Sequence, residues 1–302
     1  MLFLPLAVAC SLGIAVIFKL AERRDYDRNA LLTVNYAAGA VLALALVGAS
    51  PVGAVEPGLV LLGVAQGALF IGGFWLFSLA IRQAGMGIAA GVMRLSVVVP
   101  VLAAWAIWGE RPTLLQGLGL ALGGVAFFLI ARPAAEASGT LGPPAPLGPP
   151  DRSAETSGRR GSAVLVLALL FAAGGLVDVL MKTFDVVYGE TAPMSMFLLF
   201  VFGVAFAIGL VAVVRRRLAE GVWPSGGALG WGVVLGVVNY GSADFYLRAI
   251  AALSGPVVFP ANSIAIVLGA ALIGRFVWGE HLSRANVAGL AVASVALLCL
   301  VG

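Results

Sequence analysis

The segment AAWAIWGE at residues 103–110 has a counterpart, IGRFVWGE, at residues 273–280. Both segments end a long apolar run with Trp-Gly-Glu, and the two stand 170 positions apart. Nine residues after each glutamate comes a glycine, Gly119 in the first copy and Gly289 in the second. Recurrence at a fixed offset is the signature of an internal duplication.

The duplication extends upstream in nearly the same register. Phe74-Trp75-Leu76 corresponds to Phe245-Tyr246-Leu247 at an offset of 171, and Lys19 and Lys182 each close the first apolar run of their half. Chance could give one such match. Several matches in register indicate two copies of one unit.

The composition places these copies in a membrane. Of the 302 residues, 61% are hydrophobic and only 11% are charged, against roughly 25% charged in an ordinary soluble domain. This excludes a water-soluble domain and a polar disordered chain. The net charge of +4 does not indicate nucleic acid as a partner, because the Lys and Arg residues cluster between apolar runs, as in membrane proteins.

A helix crosses the hydrocarbon core in about 20 residues, and ten apolar runs are long enough to do so. The first has no positive residue before it and is too long for a signal-peptide core, so it is predicted to be a spanning helix. The predicted spans are 2–20, 30–49, 58–81, 86–108, 113–131, 163–185, 191–214, 228–249, 256–278 and 283–301.

One connection is much longer than the others. Residues 132–162 are rich in Pro, Gly and Ser, which predicts a flexible, solvated linker. It separates two five-helix repeats, residues 1–131 and 163–302. Because five is odd, the second repeat enters the membrane from the opposite side, an architecture that secondary transporters use. The expected fold is all-α, with ten transmembrane helices as two inverted repeats around a central cavity.

Two five-helix halves, each with Gly-Glu at the end of its fourth helix and a glycine-rich fifth helix, resemble the drug/metabolite transporter superfamily. The form that they resemble is the ten-helix one with paired EamA-type domains, and the motifs are Gly109-Glu110 and Gly279-Glu280. The resemblance covers nearly the whole chain except 132–162, which is longer than is usual in the family. It implies movement of small metabolites through a cavity lined by the third, fourth, eighth and ninth helices and parts of the first and sixth.

Charged residues within the spans are costly, at about 2.5–3.5 kcal/mol near a helix centre, and each requires a partner, water or a function. Asp178 and Lys182 are four residues apart, as are Asp244 and Arg248, the spacing of an intrahelical ion pair. Lys182 and Arg248 are therefore predicted as ion-pair partners. The two aspartates are the deepest carboxylates and are the candidates to carry a coupling proton.

Arg94 has no acidic residue within four positions. It either faces the cavity as a clamp for a substrate carboxylate or phosphate, or pairs with Asp178 or Asp244 across helices. The first interpretation predicts that removing Arg94 relieves a desolvation cost, and the second that it leaves a carboxylate uncompensated.

Neutral polar residues complete the predicted binding site. The substrate-binding candidates are Arg94, Asp244, Asn239, Tyr240, Asn262 and Gln66. Asn35 is predicted to form a hydrogen bond between helices, and the two Gly-Glu motifs to cap tight turns. Glycine spacings typical of close helix packing occur at Gly63/Gly67, Gly87/Gly91, Gly119/Gly123 and Gly232/Gly236.

Motifs for other classes of function are missing from the sequence. It has no phosphate-binding loop followed by Lys-Ser/Thr, no cluster of metal-ligand spacing and no serine elbow. We therefore expect no enzyme activity, no cofactor and no metal. The expected partners are a small-molecule substrate and membrane lipid, with the chain a monomer or homodimer.

These patterns predict a secondary transporter of a small polar or amphiphilic metabolite, an amino acid or related compound or a drug, in the inner (plasma) membrane. The transport is expected to be proton-coupled or facilitative. The alternative is a scaffold or sensor that binds a lipid or ligand without net flux.

The positive-inside rule orients the chain. Thirteen of the 18 Lys and Arg residues lie in or beside the loops after odd-numbered spans, which are therefore predicted to be cytoplasmic. Both termini are then outside, whereas the family resemblance favours cytoplasmic termini. The thirteen are Lys19, Arg23, Arg24, Arg28, Arg82, Arg132, Arg152, Arg159, Arg160, Arg215, Arg216, Arg217 and Arg284.

Overall fold

The computed structural model describes residues 2–24, 26–48, 55–131, 155–221, 225–279 and 282–301. Within these ranges all regular secondary structure is helical, in eleven α-helices. They are α1 (Phe3–Glu22), α2 (Arg28–Gly48), α3 (Pro57–Ala84), α4 (Met86–Leu95), α5 (Val98–Trp108), α6 (Leu114–Ala131), α7 (Glu155–Tyr188), α8 (Met194–Glu220), α9 (Gly226–Ala252), α10 (Gly255–Val277) and α11 (Arg284–Val301).

The helices are those of a multi-pass membrane protein. Eight segments of the described chain are long and apolar enough to cross a bilayer, with α4 and α5 together forming one of them. The apolar part of α6 is shorter, at Leu114–Ile130, and α9 lies outside this group of eight. The prediction of an all-helical membrane chain is confirmed.

The predicted linker falls mostly outside the described residues, which resume at residue 155. Residues 155–162, assigned to the linker from the sequence, belong instead to the start of α7. That part of the linker prediction is wrong.

The fourth predicted span, 86–108, is interrupted, which the sequence analysis did not foresee. α4 ends at Leu95 and α5 begins at Val98. Pro100 has no N–H to donate to the Ser96 carbonyl, which instead accepts from Val99 N–H at 3.0 Å, in a tighter turn. The Ser96 hydroxyl donates to the Met93 carbonyl at 2.6 Å, which further stabilises the break. In contrast, α10 continues through Pro260.

The packing of the helices is nearly symmetric between the two halves of the chain. Exchanging α1 for α7, α2 for α8, α3 for α9, α4 and α5 for α10, and α6 for α11 leaves most helix–helix contacts in place. α2 packs on α8, and α6 on α11, so each of these pairs maps onto itself. The α1–α9 packing corresponds to that of α7 with α3, and α2–α9 corresponds to α8–α3. α1–α10 corresponds likewise to the contacts of α7 with α4 and α5.

Small residues allow the closest of these approaches. A Cβ added to Gly67 would lie 2.5 Å from the Val201 carbonyl oxygen of α8, and one on Gly236 would lie 2.5 Å from the Asn35 carbonyl oxygen of α2. The glycine spacings on α3 and α9 thus mark helix contacts. Gly91 has nothing within 4 Å of such a Cβ, so the Gly87/Gly91 spacing does not mark a close contact there.

We expect Gly67→Ala to destabilise the bundle by about 1–3 kcal/mol, because the new methyl group meets a backbone oxygen that cannot move alone. Gly72→Ala, on the same helix, has nothing within 4 Å of its Cβ and is the matched control. It should be neutral or gain about 0.5–1 kcal/mol from reduced backbone entropy. Melting temperatures in detergent measure both, and equal values for the two variants would contradict the packing.

Candidate functional site

A cavity of about 280 Å³ lies between α1, α2, α3, α7 and α9, and Met93 of α4 also lines it. Helices from both halves of the chain therefore form its wall. The lining is mostly apolar, with aromatic rings from Phe18, Tyr36, Phe70, Phe74 and Phe77. Of the helices that the resemblance implied, the first, third, fourth, sixth and eighth contribute to the lining, whereas the ninth (α10) does not and α2 does.

The cavity lies toward one end of the bundle. Phe18 is four residues from the end of α1, Leu32 four from the start of α2 and Phe77 seven from the end of α3. All three helix ends adjoin loops of the group that carries thirteen cations. We call this end of the bundle, which holds Arg23, Arg24 and Arg216, the arginine-rich end.

Aromatic and acidic contacts hold the cations of the arginine-rich end. Arg23 lies 4.5 Å from the centre of the Trp278 ring, and Arg24 lies 5.3 Å from that of Trp231. Arg216 forms an ion pair with Asp27 at 2.5 Å. Tryptophan beside cations is typical of the membrane–water interface, which places this end at a membrane surface.

Two carboxamides provide polar groups in the cavity wall. Asn239 Nδ2 of α9 donates to Asn35 Oδ1 of α2 at 3.1 Å, which confirms the predicted interhelical role of Asn35. Asn35 is buried and Asn239 is partly buried, and both line the cavity. Among the described residues, Asn35 Nδ2 and Asn239 Oδ1 have no hydrogen-bond partner.

A charged cluster borders the cavity. The Tyr246 hydroxyl of α9 donates to Asp178 Oδ1 of α7 at 3.1 Å, and Arg94 of α4 interacts electrostatically with the same carboxylate. Asn262 of α10 lies beside Tyr246. Its Oδ1 atom is buried without a partner among the described residues. The cluster thus joins four helices, three of them through predicted site residues, Arg94, Asp178 and Asn262.

The cavity and the charged cluster are adjacent but distinct. Met93 and Val177 line the cavity, and each immediately precedes a member of the cluster, Arg94 and Asp178. The side chains of Arg94 and Asp178 do not contribute to the lining. Arg94 is therefore outside the cavity lining in this conformation, and its electrostatic interaction with Asp178 acts between α4 and α7.

The predicted ion pair between Asp178 and Lys182 is wrong. Lys182 Nζ instead lies 3.2 Å from Glu110 Oε1 and 3.2 Å from Asp185 Oδ2. Lys182 is buried rather than directed outward. The Asp178 carboxylate accepts from Tyr246, and Lys182 contacts the two acids closer to the end of α7.

Glu110 connects this second cluster to the start of α10. Its Oε2 atom accepts a hydrogen bond from Gly255 N–H, the first residue of that helix. The preceding Gly109 has φ of 70° in the left-handed region, as a helix-ending glycine requires. The Gly-Glu motif thus has the predicted capping role, but Glu110 caps α10 rather than the next helix. We call Lys182, Glu110 and Asp185 the far-end ion cluster.

The remaining predicted site residues lie elsewhere. Asp244 and Arg248 form the predicted pair, at 2.7 and 3.2 Å, and Arg248 is exposed beside the Phe3 ring. Gln66 is buried and donates to the Val177 carbonyl at 3.2 Å, which ties α3 to α7. The Tyr240 hydroxyl is buried without a partner among the described residues.

The sequence analysis missed three members of these clusters, Tyr246, Glu110 and Asp185. Tyr246 was quoted only as part of the repeat, although a tyrosine within a span requires a partner for its hydroxyl. Glu110 was assigned to a turn without the Lys182 contact, and no local spacing could have revealed it, because 72 positions separate the two.

Comparisons with known proteins extend over almost the whole chain. No family profile matches it. An uncharacterized protein of Haemophilus influenzae is 24% identical over 306 residues, which cover 97% of this chain and 95% of that protein. A crystal structure of another protein aligns with a TM-score of 0.70 at 17% identity and covers 98% of each chain. The likeness shows a shared fold.

Proposed function

We propose that this protein is a secondary transporter that moves a small polar or amphiphilic metabolite by alternating access across the plasma membrane. The observation that carries the proposal is a cavity between helices of both halves, with two opposite charges within the spans, Arg94 and Asp178, beside it. A cavity at the interface between repeats, with ionisable groups nearby, is the arrangement of such transporters.

We further propose ten spanning helices in two inverted five-helix repeats, as in the EamA-type members of the drug/metabolite transporter superfamily. The near-exchange symmetry of the packing supports two copies of one unit. α2–α8 and α6–α11, which map onto themselves, would lie on the pseudo-twofold axis. An odd number of spans per copy makes the copies antiparallel.

The order of features along α7 supports access from one side only. Leu170, Ala173 and Val177 line the cavity, Asp178 follows, and Lys182 stands one turn further on. The cavity therefore lies toward the arginine-rich end, and the two clusters close the route to the opposite end. We propose that the structure is the state open toward the arginine-rich side.

We propose Asp178 as the carrier of a coupling proton. It accepts a hydrogen bond from a hydroxyl of α9 and interacts electrostatically with a cation of α4, and these two helices belong to different repeats. Rocking of one repeat against the other would move Arg94 relative to Asp178 and Tyr246, which both belong to the second repeat, and so change the charge environment of the carboxylate. Asp244, which pairs with an exposed arginine on its own helix, is less suited to this role.

Flux in proteoliposomes tests the transport proposal. Purified protein should accumulate or exchange at least one solute from a panel of amino acids, nucleosides, sugars, neutral aromatics and cationic drugs, and empty liposomes should not. Under a pH gradient, Asp178→Asn should lose gradient-driven accumulation, while Asp244→Asn should retain it. Binding of a panel member in detergent without flux would favour the scaffold or sensor instead.

A further inference from the structure

The lining of the cavity indicates which solutes fit it. Aromatic rings from three helices surround the space, and Phe18 and Phe74 on one wall are stacked at 5.8 Å with an interplanar angle of 19°. Flat rings pack against such walls by offset stacking or edge-to-face contact. Each favourable aromatic contact raises affinity roughly two- to tenfold beyond apolar burial.

The cavity offers nothing to compensate a charged solute. No Asp, Glu, Lys or Arg side chain of the described residues lines it. Arg94 and Asp178, which follow the lining residues Met93 and Val177 in the chain, do not line it and interact electrostatically with each other. An ion that entered would lose its hydration without gaining an opposite charge, so the cavity favours uncharged solutes.

The side-chain amides of Asn35 and Asn239 place hydrogen-bonding groups in the otherwise mostly apolar cavity wall. Because Asn239 Nδ2 donates to Asn35 Oδ1, the N–H donors of Asn35 Nδ2 and the carbonyl oxygen of Asn239 remain for a ligand. A solute with an acceptor and a donor side by side would satisfy both. A solute without them would leave these groups unpaired.

We propose that the occupant is an uncharged, flat aromatic compound of one or two fused rings, with a hydrogen-bond acceptor and donor adjacent on one edge. The cavity volume of about 280 Å³ limits the size of the occupant, since pockets for drug-sized ligands have volumes of about 300–1,000 Å³. The identification of the occupant as a transported solute rests on the proposed function. Its chemical class rests on the cavity alone.

Four small probes isolate the three features. Benzamide has the ring, the neutral charge and the donor–acceptor edge, whereas cyclohexanecarboxamide lacks the aromatic ring, benzoate is charged and toluene lacks the edge. Binding to the purified full-length protein is measured by isothermal titration calorimetry, with competition against benzamide for the weak probes. We expect benzamide to bind at least tenfold more tightly than each of the other three.

Substitutions of two lining residues, Asn239 and Phe74, test whether benzamide binds in this cavity. Asn239→Leu removes the acceptor and should weaken benzamide about tenfold while leaving toluene unchanged or tighter. Phe276→Leu, which alters an exposed side chain on α10, should change neither and is the control. If Asn239→Leu does not fold, Phe74→Leu should weaken benzamide and toluene alike but spare cyclohexanecarboxamide.

The inference is overturned if benzoate or cyclohexanecarboxamide matches benzamide, if benzamide does not bind, or if Asn239→Leu and Phe74→Leu leave its affinity unchanged. These outcomes differ from failure of the transport proposal. Flux of an unrelated solute without benzamide binding would reject the ligand class alone. Selective benzamide binding without flux of any solute would reject transport and retain the ligand class.

Discussion

Arg94→Ala should lower the stability of the protein by about 3–5 kcal/mol. The substitution removes the cation that interacts with Asp178 and leaves that carboxylate with only the Tyr246 hydroxyl. The melting temperature of the purified variant in detergent measures the loss.

A second substitution tests the cause of that loss. In the double variant Arg94→Ala/Asp178→Asn, the carboxamide keeps an acceptor for Tyr246 and carries no charge, so most of the stability should return. Arg275→Ala removes an exposed arginine of α10 and should change stability by less than about 0.5 kcal/mol. Arg94→Ala at wild-type stability would restore the interpretation of Arg94 as an unpaired anion clamp.

Lys182→Ala should open the far end of the bundle. Without the ammonium group, Glu110 and Asp185 lose the counter-ion that each contacts at 3.2 Å, and their like charges repel. The Glu110 cap on Gly255 at the start of α10 should weaken with them. A change of about 1.4 kcal/mol in the balance of closed and open states alters access tenfold.

A cysteine at Asn239 reports that access. In a Cys10→Ser/Cys299→Ser background, Asn239→Cys should react with an impermeant thiol reagent from the arginine-rich side. Adding Lys182→Ala should raise the rate from the opposite side about tenfold or more. Arg248→Ala, which breaks the exposed pair on α9, is the matched control and should leave that rate unchanged. An unchanged rate in Lys182→Ala would show that the far-end ion cluster is not a barrier.

Features set by neighbouring residues in the chain could be predicted from the sequence. The apolar runs gave the helices to within a few residues, apart from the start of α7. The Asp244–Arg248 pair forms as predicted, because both residues lie on one face of one helix and have no stronger partner nearby.

Features that depend on other helices could not be predicted in the same way. The same spacing gave the wrong partner for Asp178, because Tyr246, 68 positions away, reaches the carboxylate from α9. The Lys182–Glu110 contact could not be predicted either, because the two residues lie on different helices far apart in the sequence. The break in the fourth span could have been predicted from Pro100, but the unbroken run of apolar residues around it was interpreted as one helix.

Alternating access is tested most directly by distances across the two ends of the bundle. Spin labels at Arg82 and Arg284, exposed side chains next to α4 and α10, report the arginine-rich end, and labels at Arg111 and Glu190 report the other. Each pair of labels is attached to cysteines introduced in a Cys10→Ser/Cys299→Ser background. Pulsed electron paramagnetic resonance then gives the label–label distances with and without a solute that the flux assay shows to be transported. We predict that the solute shifts the population so that the arginine-rich end closes by several ångströms while the opposite end opens. Distances that stay fixed at both ends, or that change in the same direction, would contradict transport by alternating access.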